Sequence, residues 1–247
     1  METLRIIGSS HIARQSVREV KAAVAEFSPD IIALELDPRR LHALLHETDR
    51  SVPFSAIFQI GVQGYLFAKL AGWASRKMGN IVGMSPGSEM KAAYRLAKKE
   101  KLQVALIDQD ISVTLKRFSA AFSWKEKWQI VKDVFEGIFF RKRVIARYSW
   151  LDLNKVPDET SLRMIMAEVK EKYPSIYRVL ISERNRVMAH TLQAIQKRDP
   201  DKKILAVVGA GHKEGILALL GKAEEQSDVT YSFSYGVHGD PGIKQNH

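Results

Sequence analysis

Four short apolar runs punctuate a chain whose remaining stretches repeat their hydrophobic residues at helical spacing. Leu4 to Gly8, Ile31 to Leu36, Gln103 to Ile107 and Ile204 to Val208 read as buried strands. Between the first two, Val17, Val20, Val24 and Phe27 form one stripe of a helix over 14–27, which Ser28-Pro29-Asp30 breaks. Strand, helix, strand is the unit that joins parallel neighbours. Further helices are predicted from Pro38, over 54–77, 89–100, 111–147, 159–173 and 175–197, and after the fourth strand to about Leu220. The alternating run Val229 to Tyr235 reads as a last strand, and 236–247 as a loose tail. The expected fold is α/β, an open, mainly parallel sheet flanked by helices. It forms a single domain over 1–235 with a helical insertion over about 111–200, between the third and fourth strands.

In such sheets ligands bind outside the carboxyl ends of the strands. His11 follows the first run inside Gly8-Ser9-Ser10-His11, Glu35 ends the second, Asp108 closes the third, and His212 follows the fourth inside Gly209-Ala210-Gly211-His212. Four ionisable groups therefore share one rim if the strands are parallel neighbours. The glycines allow sharp turns and close backbone approach, and a following helix N-terminus favours anions. His11, His212 and Glu35 make a donor set for a divalent metal with an open position for water. The same three also work without metal, one imidazole as base, the other stabilising the transition state, and Glu35 as orienter. The bland reading has each histidine merely capping a turn; two such turns at two strand ends weigh against it.

The 247 residues contain no cysteine, so disulfides and thiolate chemistry are excluded and any metal must be held by His, Asp, Glu or water. A net charge of +10 favours anionic partners, or simply keeps the chain soluble. The excess is local: Lys116 to Lys155 holds ten Lys/Arg against four Asp/Glu. Within it, over 123–147, Trp124, Trp128, Phe135, Ile138 and Phe139 alternate with Lys125, Lys127, Lys132, Arg141, Lys142 and Arg143. One reading is peripheral attachment to an anionic membrane; the other is a helix with its aromatics on the core and a solvated basic face. No nucleic-acid motif accompanies the charge, so no nucleic-acid partner is expected. P-loop and dinucleotide fingerprints are absent from the sequence. Ser55 to Ala74 is too polar for a membrane span and reads as a packed hairpin or a homodimer surface. Met1 to Gly8 reads as a strand rather than a signal peptide, which points to a cytoplasmic protein with peripheral membrane contact at most.

The segments GSSH, PDIIALELDPRR, PGSEMKAA, LIDQDISVTLKR, SERNRVMA and VVGAGHKEGI, in this order and spacing over roughly 4–220, resemble the TraB/PrgY/GumN family. The resemblance implies a fold similar to erythromycin esterase and the haem-binding ChaN protein. It relates the chain to the Tiki metalloproteases, which use paired Gly-x-x-His motifs and a glutamate. By that likeness His11, His212 and Glu35 are metal-binding or catalytic. The first reading has them hold a divalent metal (Mn, Co or Zn), with Glu89 or Asp108 near the attacking water and Arg40 and Arg184 gripping anionic parts of a substrate. Bacterial relatives are linked to shutting down peptide pheromone signals. The implied activity is a metal-dependent peptidase or other hydrolase; the alternatives are a non-catalytic peptide- or haem-binding module at the membrane surface and a metal-free esterase. Gln109 departs from the family's usual LIDRD, and His42 and His46, one helical turn apart, read as surface.

Overall fold

The computed structural model describes residues 3–9, 13–46, 57–62, 65, 69, 87–139 and 159–223. Four strands, β1 (Leu4–Ser9), β2 (Ile31–Leu34), β3 (Gln103–Leu106) and β4 (Ile204–Gly209), pair in parallel in the order β1-β4-β2-β3. The helices are α1 (Ala13–Phe27), α2 (Pro38–His46), α3 (Ser88–Lys99), α4 (Ile111–Ala121), α5 (Trp124–Phe139), α6 (Glu159–Lys172), α7 (Pro174–Tyr177), α8 (Glu183–Arg198) and α9 (Ala210–Ala223). A π-helical segment, Arg178–Ser182, joins α7 to α8.

Both faces of the sheet are covered, which is why its central strands carry unbroken apolar runs. Strand alternation sorts the side chains. Ile31 and Ala33 of β2 and Ile204, Ala206 and Val208 of β4 pack with Met188, Leu192 and Ile195 of α8 and Ile216 of α9. Ile32, Leu34 and Val207 face the other way, onto Val20 of α1, Leu44 of α2 and Met90, Ala93 and Ala97 of α3. Leu205 completes that second face against Ala23 and Phe27. Each fully buried Ile or Leu contributes about 1.5–3 kcal/mol, so β4, buried at all six positions, is the main anchor of the core.

The register aligns the strand ends. Gly8 pairs with Val208 and Ser9 with Gly209, while Leu34 pairs with Val207. β4 sends its helix α9 to one face, whereas its neighbours β1 and β2 send α1 and α2 to the other. Adjacent connections therefore diverge at the carboxyl end of β4, the position where ligands bind in sheets of this kind.

The segment expected to be helical over 111–147 holds two helices where it is described. Phe122 and Ser123 separate α4 from α5, because Ser123 and Glu126 form a capping box: the Ser123 N–H donates to Glu126 Oε2 at 3.1 Å and the Glu126 N–H to Ser123 Oγ at 3.3 Å. All described elements between β3 and β4 are helical. Of the helix expected over 54–77, residues 57–62, 65 and 69 are described and are helical. The strand expected over 229–235 and the tail lie outside the described residues.

Candidate functional site

Strand parity places the central carboxylate. Leu34 faces α1 and α3, so Glu35, the next residue, turns to the side covered by α8 and α9. It is 5% exposed. Its Oε2 accepts the Gly209 N–H at 2.5 Å, a bond available because β2 and β4 are neighbours. Its Oε1 accepts from Nη2 of Arg184, the second residue of α8. Asp108, just past β3, holds the same guanidinium in a fork: Nε donates to Oδ1 at 3.0 Å and Nη2 to Oδ2 at 2.6 Å. Arg184 Nη1 donates to the Leu180 carbonyl of the π-helical segment at 3.2 Å.

Arg40 reaches the cluster from α2. Asp37 caps that helix by accepting the N–H groups of Arg39 and Arg40 at 2.9 and 3.0 Å, and Pro38 occupies its first turn. The cap aims Arg40 back across the strand ends. Its Nη1 donates to Asp108 Oδ2 at 2.5 Å and its Nη2 to the Glu35 carbonyl at 2.6 Å. Asp110 serves as the cap of α4 through Ser112, and Gln109 Nε2 donates to Thr114 Oγ1.

His212 sits in the first turn of α9, since that helix starts directly after β4. Arg184 Nη1 lies 3.0 Å from its Nε2. A guanidinium has no acceptor, so Nε2 accepts there. Nδ1 then carries the proton and donates to Asn185 Oδ1 at 2.6 Å. Asn185 can reach the ring because Gly215 leaves room: a Cβ at 215 would stand 2.1 Å from Asn185 Nδ2. Nε2 is also 3.4 Å from Glu35 Oε1.

Burial pushes the Glu35 carboxyl up, but His212, Arg184, the Gly209 N–H and Arg40 reverse this and hold it at about 2. His212 adds to that only as an imidazolium. In the tautomer seen here, Arg184 and the Gly209 N–H are what keep the carboxylate charged. Burial lowers Arg184, and its bonds to Asp108 and Glu35 outweigh it and hold it above the usual guanidinium range. Glu35 and Arg184 are thus held as a charged, interlocked pair.

Glu35, Asp108, Arg40, Arg184 and His212 all meet at this rim. Glu89 is buried in the first turn of α3, positioned by the left-handed Gly87 before it (φ 82°) and suited to the helix N-terminus. His11 lies outside the described residues. β1, which leads into it, runs beside β4 in register, so the two Gly-x-x-His turns start on adjacent strands. Sequence reasoning gave no role to Asn185, the Gly209 N–H or Gly215. The one available signal was the adjacency of Asn185 to Arg184 in SERN.

A metal set can be tested against this geometry. Two ligands held at ~2.1 Å by one tetrahedral ion stand about 3.4 Å apart, and Glu35 Oε1 and His212 Nε2 have that separation. The Nδ1–H bond to Asn185 makes Nε2 the unprotonated nitrogen, the form a metal-binding imidazole requires, with its lone pair turned to Arg184 Nη1. The spacing suits an ion, but Arg184 Nη1 and Nη2 already donate to these two atoms, so the guanidinium must withdraw before the pair can take a metal. Among the described residues no group of three or more His, Cys, Asp or Glu completes a site.

Comparison with known proteins gives the family. The chain is 34% identical over 230 residues to an uncharacterised protein of Methanocaldococcus jannaschii, covering 91% of this chain and 55% of that protein. It is 28% identical to the TraB domain-containing protein of Mus musculus and 27% to that of Homo sapiens, in each case over 85% of this chain and 61% of the relative. The chain therefore spans little more than half the length of these relatives. A family model described as TraB/PrgY/gumN matches residues 2–227, and with the resemblance of the rim motifs this shows that the chain belongs to the TraB/PrgY/gumN family.

Proposed function

We propose that this chain is a metal-dependent hydrolase acting on amide or ester bonds of peptides, with its centre at the carboxyl end of β4. The observation that carries the reading is the convergence of Glu35 Oε1 and His212 Nε2, 3.4 Å apart, with the imidazole tautomer held by Asn185. His11, His212 and Glu35 would hold the ion, with Mn, Co and Zn as candidates. When bound, it would lower the pKa of a water and polarise the scissile carbonyl.

The chain's own residues have separable tasks. The Gly209 N–H takes Glu35 Oε2 and so presents Oε1 to the rim. Asn185 keeps the Nε2 lone pair of His212 directed there. Arg184 has five N–H bonds to give. Asp108 and the Leu180 carbonyl fix its plane, while one N–H each on Nη1 and Nη2 faces His212 and Glu35. Those two are the N–H groups a substrate oxygen can claim. Both oxygens of Asp108 are taken by Arg184, Arg40 and the Gln109 N–H, which makes it a positioning residue in this arrangement. Peptide substrates, of the kind linked to pheromone shutdown, and a cytoplasmic site of action belong to the same reading.

Protein purified without a histidine tag tests it. Stoichiometric metal is expected in the parent, lost in His11→Ala and His212→Ala, together with peptide hydrolysis that a chelator stops and added Mn, Co or Zn restores. Hydrolysis that persists in chelator, or tight peptide binding with no turnover, would overturn the proposal.

A further inference from the structure

Helix α5 is amphipathic the wrong way round for a soluble protein. Trp124, Trp128, Val131 and Phe135 recur at helical spacing and are 76%, 71%, 56% and 53% exposed. The side turned inward is acidic instead. Glu126 is buried, accepting from the Ser123 hydroxyl at 2.7 Å and from the Ser175 N–H at 2.6 Å. Asp133 accepts from the Tyr173 hydroxyl at 2.5 Å and from Gln129 at 2.8 Å. The expectation that the aromatics pack on the core therefore fails for these residues. Polar bonds dock the helix, and its large apolar side chains face outward. Ordinary surface helices do the reverse.

Charge follows the same division. Lys125 and Lys132 are exposed on one flank of the aromatic stripe, and Lys127 stands on the other with its ammonium 4.2 Å from the Trp124 ring centre. Glu126 and Asp133 are spent inside, and Glu136, one turn after Lys132, is the one acid on the lysine flank, so Lys125, Lys127 and Lys132 give the side of the indole and phenyl rings a positive excess. That arrangement matches a helix lying in the plane of a membrane interface: rings at the acyl boundary, lysines at anionic headgroups. A symmetric pairing of two such faces would bring lysine flanks together, which disfavours a second copy as occupant. Among the described residues no helix is long and apolar enough to cross a membrane, so contact through α5 is of the in-plane kind.

We infer that the outward face of α5 is a docking surface for an anionic lipid bilayer, with Trp124, Trp128, Val131 and Phe135 inserting and Lys125, Lys127 and Lys132 meeting lipid phosphates. The surface is separate from the Glu35–His212 rim and stands whether or not that rim hydrolyses anything.

Vesicle sedimentation of the full chain tests it, with phosphatidylcholine alone and phosphatidylcholine mixed with phosphatidylglycerol. Binding is expected on the mixed vesicles only, with a blue shift of indole emission and loss of binding as salt rises. The double variant Lys125→Gln/Lys132→Gln is expected to bind about 30-fold more weakly, from ~1 kcal/mol per lysine near the surface. The triple variant Trp124→Ser/Trp128→Ser/Phe135→Ser is expected to lose both binding and the blue shift while keeping the parent circular dichroism. Equal binding to neutral and mixed vesicles overturns the inference, as does a triple variant that binds like the parent. So does self-association of the parent without lipid that the triple variant abolishes.

Discussion

At the residue scale, everything turns on how one guanidinium is held. Arg184 is bound on one edge by Asp108 and on another by Glu35, with His212 beside it. Buried charges survive only when paired and hydrogen-bonded, and each charge here has at least two partners. The paired state of Glu35 gives a pH signature. Its folded pKa of about 2 lies below the ordinary 4.5, so the carboxylate is stabilised relative to the unfolded chain. That contribution is fully present above pH 4.5 and is lost as pH falls toward 2. Denaturant midpoints of the parent should therefore fall over that range, whereas Glu35→Gln, lacking the titrating group, should fall less. Parallel pH profiles for the two proteins would show that Glu35 is not held as described. Sequence reasoning reached Glu35 and His212 from their positions after apolar runs. It could not see that Arg184, mid-helix in a charged stretch, is the hub, because a helical arginine looks the same whether it faces solvent or a buried carboxylate.

Elements set the precision of this cluster. Helices α8 and α9 approach closely where Asn185 meets Gly215, and a methyl group there has no space. Gly215→Ala should swing Asn185 away from His212, release the ring from its Nδ1–H tautomer and destabilise the fold by about 1–3 kcal/mol. Nitrogen NMR of the His212 ring together with chemical denaturation reads both effects; an unchanged tautomer would mean that Asn185 does not set it. Strands and most helices were legible because their apolar periods differ: the run IIAL is buried at all four positions of β2, and Val20 and Phe27 do face the core from α1. The π-helical segment before α8 was not legible, since its backbone register is chosen by tertiary contacts and leaves no composition mark. The aromatics of α5 left two readings open, core or surface, and the fold turns Trp124, Trp128 and Phe135 outward. Periodicity says which residues share a stripe and leaves open which way the stripe faces.

For the whole molecule, strand order is the property that no local pattern encodes. β4, the last of the four described strands in sequence, lies between the first and second. It supplies hydrogen bonds to both neighbours and apolar side chains to both layers. A chain ending at residue 200 should therefore lose cooperative unfolding and elute as aggregate, because β1 and β2 are left with unpaired inner edges. A monomeric, cooperatively melting 1–200 fragment would show that β4 is dispensable. Sequence alone gave the parallel unit and the rim, but the neighbour relation that lets Gly209 bond Glu35 required the assembled sheet.

That central late strand also orders events in time. A ribosome releases the chain from its amino end, and β1, β2 and β3 leave the exit tunnel before the strand that joins them. Glu35 and Asp108 must wait, solvated, until Arg184 and then Gly209 and His212 emerge. A nascent chain stalled short of that point has no assembled charge cluster, so translation itself delays the onset of whatever chemistry the rim performs.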